Sequence, residues 1–149
     1  MKPLRAALEG VLTDANKPYV LMLLLLLAPL LLFAAHRVEQ QERNRVFNAI
    51  ENNQIQVVEA YIKSHMLSAD VTDSYGNTLL SVASQFGCYE ICNFLLKEGA
   101  NVNTRNHMGN TPLHYAIAFN MSHIVDLLIE SGADETIKNK KRLTPWQGI

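Results

Sequence analysis

The sequence predicts an all-α protein, in which a single-pass transmembrane helix precedes a short solenoid of paired helices. Three observations predict this fold. Residues 19–35 carry no charge, and residues 73 onward repeat with a period of 33. Threonine and glycine also stand in each repeat where helices begin and end. The 149 residues leave room for one domain of ordinary size beside the apolar run.

Composition excludes several classes of protein. A formal net charge of −1 does not provide the basic field that nucleic-acid binders use. Charged residues make up 18% of the chain, below the roughly 25% of a soluble domain, and the deficit is concentrated in the apolar run. Two cysteines are too few for a disulfide scaffold. The rest of the chain is too hydrophobic for disorder to be its main state.

The apolar run is predicted to be a membrane anchor. As a helix, residues 19–35 span roughly 26 Å, which is at the short end of the range for a bilayer. A buried core helix is disfavoured, because a chain this small cannot surround a helix that is apolar on all sides. A cleaved signal peptide is disfavoured, because 18 residues precede the run and Phe33-Ala-Ala35 is a poor cleavage site. Flanking positive charges weakly favour the remainder of the chain on the cytosolic, stromal or matrix side.

The 33-residue period identifies a stacked repeat, in which each unit is one supersecondary element. Thr111 and Pro112 open a helix, Asn120 breaks it as Gly87 does one repeat earlier, and Gly132 ends the second helix. The residues that coincide at this offset are Gly76 and Gly109; Thr78, Thr111 and Thr144; Ala83 and Ala116; Leu95 and Leu128; Gly99 and Gly132; and Ala100 and Ala133.

These units resemble the ankyrin repeat. The resemblance is carried by Gly109-Asn-Thr-Pro-Leu-His-Tyr-Ala116 and by Ile124-Val-Asp-Leu-Leu-Ile-Glu-Ser-Gly-Ala-Asp134. The preceding unit departs from the family pattern, with Leu79 in place of the usual proline and Ser81 in place of the usual histidine. The resemblance covers about two thirds of the chain and implies antiparallel helix pairs in a slightly curved array, joined by hairpin loops.

The chain is accordingly divided into six segments. The first repeat is degenerate, as a capping repeat would be, and Trp146 is expected to shield the apolar end of the last one. The segments are an amphipathic or flexible N-terminal stretch (1–18), the transmembrane helix (19–36), a linker helix with the degenerate first repeat (37–72), two full repeats (73–105 and 106–138) and a capping half-repeat (139–149).

No residue pattern indicates catalysis, a metal or a cofactor, and we predict that the protein is not an enzyme. The resemblance implies that His114 ties neighbouring loops together by hydrogen bonds. Cys88 and Cys92 lack the two further ligands that a zinc site would need, and Cys92 is expected to be a small core residue.

One feature indicates a binding surface. Phe86 and Phe119 are 33 residues apart, at a position that the family usually leaves polar, so an exposed aromatic stripe is predicted. The alternative is that both rings pack against a neighbouring repeat or against the helix formed by residues 36–62. Further candidate contacts are Tyr115 and Met121 near Phe119, and Tyr75, His107 and Met108 in the hairpin loops.

We predict that the protein is a non-catalytic accessory subunit of a multi-subunit membrane complex. The candidate complexes are a respiratory-chain complex and an ATP synthase, and the candidate location is the mitochondrial inner membrane. Its expected partners are other protein subunits and membrane lipid, with no nucleic acid and no small-molecule substrate. The alternative is a membrane-tethered adaptor that recruits a soluble partner reversibly. A lumenal domain stays open, because Asn120-Met-Ser122 is a glycosylation acceptor.

Overall fold

The computed structural model describes residues 18–64 and 68–149. The predicted N-terminal segment, residues 1–18, lies outside this description apart from the backbone of Pro18. The side chains of residues 19–21, 23 and 24, which belong to the predicted span, lie outside it as well.

The first described helix, α1 (Pro18–Glu51), runs through residue 36, where the predicted span ends. Neither glycine nor proline occurs between residues 30 and 51, so nothing in the sequence stops the helix there. Its last turns serve as the first helix of the first repeat. Over the described ranges, no helix is both long enough and apolar enough to cross a membrane.

The contacts divide the chain into two compact units, Met1–Gln41 and Glu42–Ile149. In the first unit, the described apolar side chains of α1 are exposed to solvent. The second unit holds the repeats and is helical, with an isolated bridge between Thr72 and Thr78 and no strand in the described residues. Its elements after α1 are α2 (Ile55–Lys63), α3 (Leu79–Phe86), α4 (Tyr89–Lys97), α5 (Pro112–Ala118), α6 (Ser122–Glu130) and a 3₁₀ helix (Pro145–Gln147).

Each pair of helices is joined by a tight turn in the left-handed backbone region. The residues are Asn53, Gly87 and Asn120, with φ values of 52°, 75° and 57°. The turn predicted at Gly87 and Asn120 is therefore present, and Asn53 makes the same turn in the degenerate first repeat. Glycine suits position 87, because its φ of 75° is unfavourable for most other residues and an added Cβ would displace the Met121 side chain, whose Sδ would lie 2.8 Å away.

A continuous core runs through the repeats. α5 packs on α3, α6 packs on α4, and the 3₁₀ helix packs on α5. Each repeat contributes fully buried aliphatic side chains to this core, among them Val46, Ile50, Val58, Leu79, Leu80, Ile91, Leu95, Leu113, Ile124 and Leu128. Because each apolar face is covered by the next repeat, the burial follows the repeat period.

The C-terminal half-repeat covers the last repeat differently from the prediction. Pro145 is buried, whereas the Trp146 side chain is 57% exposed and shields little of the apolar end. Its indole Nε1–H donates a hydrogen bond to Glu135 Oε2 over 2.8 Å. This bond to an exposed carboxylate holds the ring at the edge of the apolar surface.

Candidate interaction surfaces

The hairpin loops share one device that the sequence analysis missed. Asp73, Asn106 and Asn139 stand 33 residues apart, and the side-chain Oδ1 of each accepts two backbone N–H groups of its own loop. These bonds are 2.8–3.1 Å long and close each loop into a tight turn. The sequence contained this signal, since the three residues are either Asp or Asn and recur at the same 33-residue offset as the threonines that open the repeats.

The same side chains join each loop to the one before. Asn106 Nδ2 donates to Asn77 Oδ1 over 2.7 Å, and Asn139 Nδ2 donates to Asn110 Oδ1 over 2.9 Å. Backbone bonds run in parallel, from the N–H of His107 to the carbonyl of Tyr75 and from the N–H of Lys140 to the carbonyl of Met108. We call this set of side-chain and backbone bonds the loop ladder.

Three of the predicted contact residues lie at the tips of these loops. Tyr75, His107 and Met108 are all exposed, and the ladder places Tyr75 and His107 next to each other. The loop ladder therefore presents their side chains from a backbone that is fixed by hydrogen bonds.

Tyr115 precedes Phe119 by one helical turn, and its side chain belongs to the loop ladder. Its hydroxyl donates to Asn77 Oδ1 over 2.9 Å and accepts from Asn106 Nδ2 over 2.8 Å. The side chain is half-buried, and burial raises the pKa of the Tyr115 phenol. The sequence could not show this, because Asn77 is 38 residues away along the chain.

Phe86 and Phe119 end α3 and α5 and are 47% and 42% exposed. Their rings make no contact with each other, although both are described. The ring contact in this region joins Tyr89 and His123, whose centroids lie 5.8 Å apart at a tilt of 39°. These four residues, which we call the aromatic edge, surround the turns between the paired helices. Met121 lies instead against Gly87 and is partly buried.

His114 is fully buried and bonded at both ring nitrogens. The Thr111 N–H donates to Nδ1 over 3.1 Å, which places the proton on Nε2, from where it is donated to the Leu143 carbonyl over 3.2 Å. This bond joins the last repeat to the half-repeat. Burial lowers the pKa of His114, so the ring is neutral at physiological pH.

The neutral state of His114 predicts a pH-dependent stability. The unfolded histidine keeps its ordinary pKa of 6.5, so the unfolded chain binds the proton first as the pH falls. We expect the free energy of unfolding to be at its full value above pH 6.5 and to fall below it, by at most about 1.4 kcal/mol per pH unit. Urea unfolding one unit on either side of that pH measures the change.

The matched control is His114→Gln, whose amide offers one acceptor and one donor but does not titrate. We expect this variant to be less stable at neutral pH and to show a smaller decrease on acidification. If the variant and the parent chain lose the same stability, another group is responsible.

Neither cysteine is suited to chemistry. Cys92 is fully buried, and burial raises the pKa of its thiol to about 12. Cys88 is also buried with a raised pKa, and its thiol donates to the Ile50 carbonyl over 3.3 Å. In the part of the chain that the structure describes, no group of three His, Cys, Asp or Glu side chains could hold a metal ion.

The paired helices, the 33-residue period and the loop ladder define a helical-repeat solenoid, a class whose repeats contact their sequence neighbours and present an extended binding surface. A family model described as ankyrin repeats (3 copies) matches residues 15–106 and 46–139. The chain belongs to the ankyrin-repeat family. Ankyrin repeats mediate protein–protein binding and are generally non-catalytic. A search of curated proteins finds no match for the chain.

Proposed function

We propose that this chain is a membrane-tethered, non-catalytic subunit that docks on neighbouring proteins of a membrane complex through the aromatic edge. The observation that carries the proposal is the half-exposure of Phe86 and Phe119 at the same position of successive repeats. Exposed aromatic rings of this kind are enriched at protein interfaces, where they contribute a large contact area.

The tether is proposed from the run of residues 19–35, together with the exposure of its described side chains. Leu25 to Leu27 and Leu30 to Phe33 are all exposed, and consecutive residues point in different directions around a helix. Each buried leucine contributes about 1.5–3 kcal/mol, so a helix apolar on all sides is stable only where its whole circumference is covered. A bilayer covers every side, whereas a groove on a protein covers one. The described side chains alone do not make up a span, so the uncharged run of the sequence carries this part of the proposal.

The proposed location is the mitochondrial inner membrane, and the proposed assembly is a respiratory-chain complex or an ATP synthase. An apolar run of this length suits a thin bilayer. Sugar on Asn120, which is exposed in its turn, would instead place the repeats in a secretory lumen. The second candidate is a membrane-tethered adaptor that recruits a soluble partner reversibly, and the same exposed aromatic edge favours it.

The test uses membranes from cells that express the chain. They are washed with alkaline carbonate, dissolved in mild detergent and separated on a native gel, with mass spectrometry along the lane. We expect the chain to resist the wash and to migrate with a large complex at fixed stoichiometry. Migration near its own mass after resisting the wash would favour the adaptor, and release by the wash would contradict the tether.

Two variants separate the parts of the proposal. Phe86→Ser combined with Phe119→Ser is expected to stay in the washed membrane but to leave the complex, because it removes the two exposed rings and keeps the core. Ile129→Ser is the matched control, since it removes a partly exposed apolar side chain that belongs to none of the candidate contact residues. Leu25→Arg is expected to reduce membrane retention, since a central charge costs about 2.5–3.5 kcal/mol on insertion scales. Unchanged migration of the double variant would show that the aromatic edge is not the interface.

A further inference from the structure

The last repeat has an open groove where a further helix pair would pack. The groove has a volume of about 390 Å³, and its floor is formed by small and aliphatic side chains of α5 and α6. We call it the C-terminal groove. It is lined by Ala116, Ile117, Asn120, Met121, Ser122, Val125, Asp126 and Trp146.

The preceding repeat shows how such a surface is covered when another repeat follows it. Ser84 is fully buried there, in α3, on which α5 packs. Ile117, which stands 33 residues later in α5, is only partly buried. The Ile117 side chain is larger and more apolar than that of Ser84 and yet less covered. The C-terminal groove therefore continues the interface between repeats, and an α-helix is the element that fits it.

The charges at the rim of the C-terminal groove indicate what kind of helix would bind there. Asp126 lines the groove, Glu130 follows one helical turn later on the same face, and Glu135 holds the Trp146 ring. The lining residues include no lysine or arginine. A second copy of the chain would bring two acidic rims together, which disfavours a pair of identical grooves.

We propose that the C-terminal groove binds an amphipathic α-helix of a partner protein that has basic residues beside its apolar face. The apolar face of this helix covers Ile117 and the exposed ring of Trp146, as α5 and α6 cover the preceding repeat. Its lysines or arginines pair with Asp126 and Glu130. No residue of the aromatic edge lines the groove, and the proposal does not rest on the membrane tether.

Trp146 provides a direct measurement, because it is the one tryptophan of the chain and lines the groove. The probe is a synthetic sequence of leucine, alanine and lysine with a leucine stripe at helical spacing. It is fused to Ile149 of the full chain through a flexible glycine-serine linker, which keeps it at high effective concentration. A second fusion has glutamate in place of every lysine, and acrylamide quenching of Trp146 is measured in neutral detergent.

We expect the lysine helix to reduce quenching roughly twofold or more and to shift the emission to shorter wavelength, because the bound helix excludes water from the indole. The glutamate helix is expected to protect Trp146 less. Equal protection by both helices, or no protection by the lysine helix, would overturn the proposal.

Three variants locate the bound helix. Ile117→Glu is expected to abolish protection by the lysine helix. Asp126→Lys changes an exposed side chain without touching the core, and it is expected to reverse the preference in favour of the glutamate helix. Phe86→Ser leaves the groove intact and is expected to keep the protection. Loss of protection in Phe86→Ser, or an unchanged preference in Asp126→Lys, would place the helix elsewhere.

Discussion

Replacing Asn106 with alanine is expected to lower the free energy of unfolding by about 3 kcal/mol, because four hydrogen bonds of the loop ladder lose their partner at once. The side chain accepts from the N–H groups of Met108 and Asn110, and it donates to Asn77 and Tyr115. It is buried, so water cannot replace all of these bonds. Urea unfolding of the full chain in neutral detergent, followed by circular dichroism, measures the loss.

Asn106→Asp is the matched control. Aspartate retains the two acceptor bonds within the loop, as Asp73 shows at the same position of the first loop. It loses the amide donor toward Asn77 and Tyr115, so we expect a cost of about 1–2 kcal/mol. The importance of the loop ladder would be disproved if Asn106→Ala cost less than about 1 kcal/mol, or if the aspartate and alanine variants were equally unstable.

Substitutions at Gly109 and Arg142 are expected to act in opposite directions, although the two residues occupy the same position in successive loops. Both have the left-handed backbone, with φ values of 80° and 66°. An added Cβ at Gly109 would lie 3.0 Å from the Lys140 nitrogen and 3.1 Å from Asn139 Cα. Gly109→Ala therefore combines backbone strain with a clash against the next loop, and we expect a loss of about 2–4 kcal/mol.

Arg142 tolerates a side chain because no further hairpin loop follows it within the described chain. The strain of a non-glycine residue in this conformation remains, so Arg142→Gly is expected to stabilise the protein by about 1 kcal/mol. Thermal unfolding of both variants beside the parent chain measures the two effects. Destabilisation in both variants would show that the Arg142 side chain stabilises its loop by more than the backbone strain costs.

The paired helices of the two full repeats could be predicted from the sequence, because Thr111-Pro112 and Gly132 are local signals that act within one turn of the helix. The continuity of α1 was less accessible. The sequence analysis divided this region at residue 36 into a span and a linker helix, following the change from apolar to charged residues, but such a change does not by itself interrupt a helix. In the structure one helix runs through both segments to Glu51, before the turn at Asn53.

The candidate surfaces show a similar division. The positions of Phe86 and Phe119 followed from the period, but their exposure depends on how far the neighbouring helices cover them. The position of Tyr115 near Phe119 could be predicted, but the hydrogen bonds of its hydroxyl to Asn77 and Asn106 could not, because Asn77 belongs to another repeat. The C-terminal groove had no local signal, since it arises from the absence of a covering helix over residues that look like ordinary core.

The loop ladder connects each loop only to its immediate neighbour, and this determines how the array comes apart. The middle hairpin loop, which lies between α4 and α5, is held by bonds on both sides, from Asn106 toward Asn77 and from Asn139 toward Asn110. The two outer loops each have one such connection. Partial opening therefore begins at the ends of the array and moves inward, with each step breaking one interface. We therefore expect the backbone amides of α4 and α5 to exchange their hydrogens with solvent most slowly.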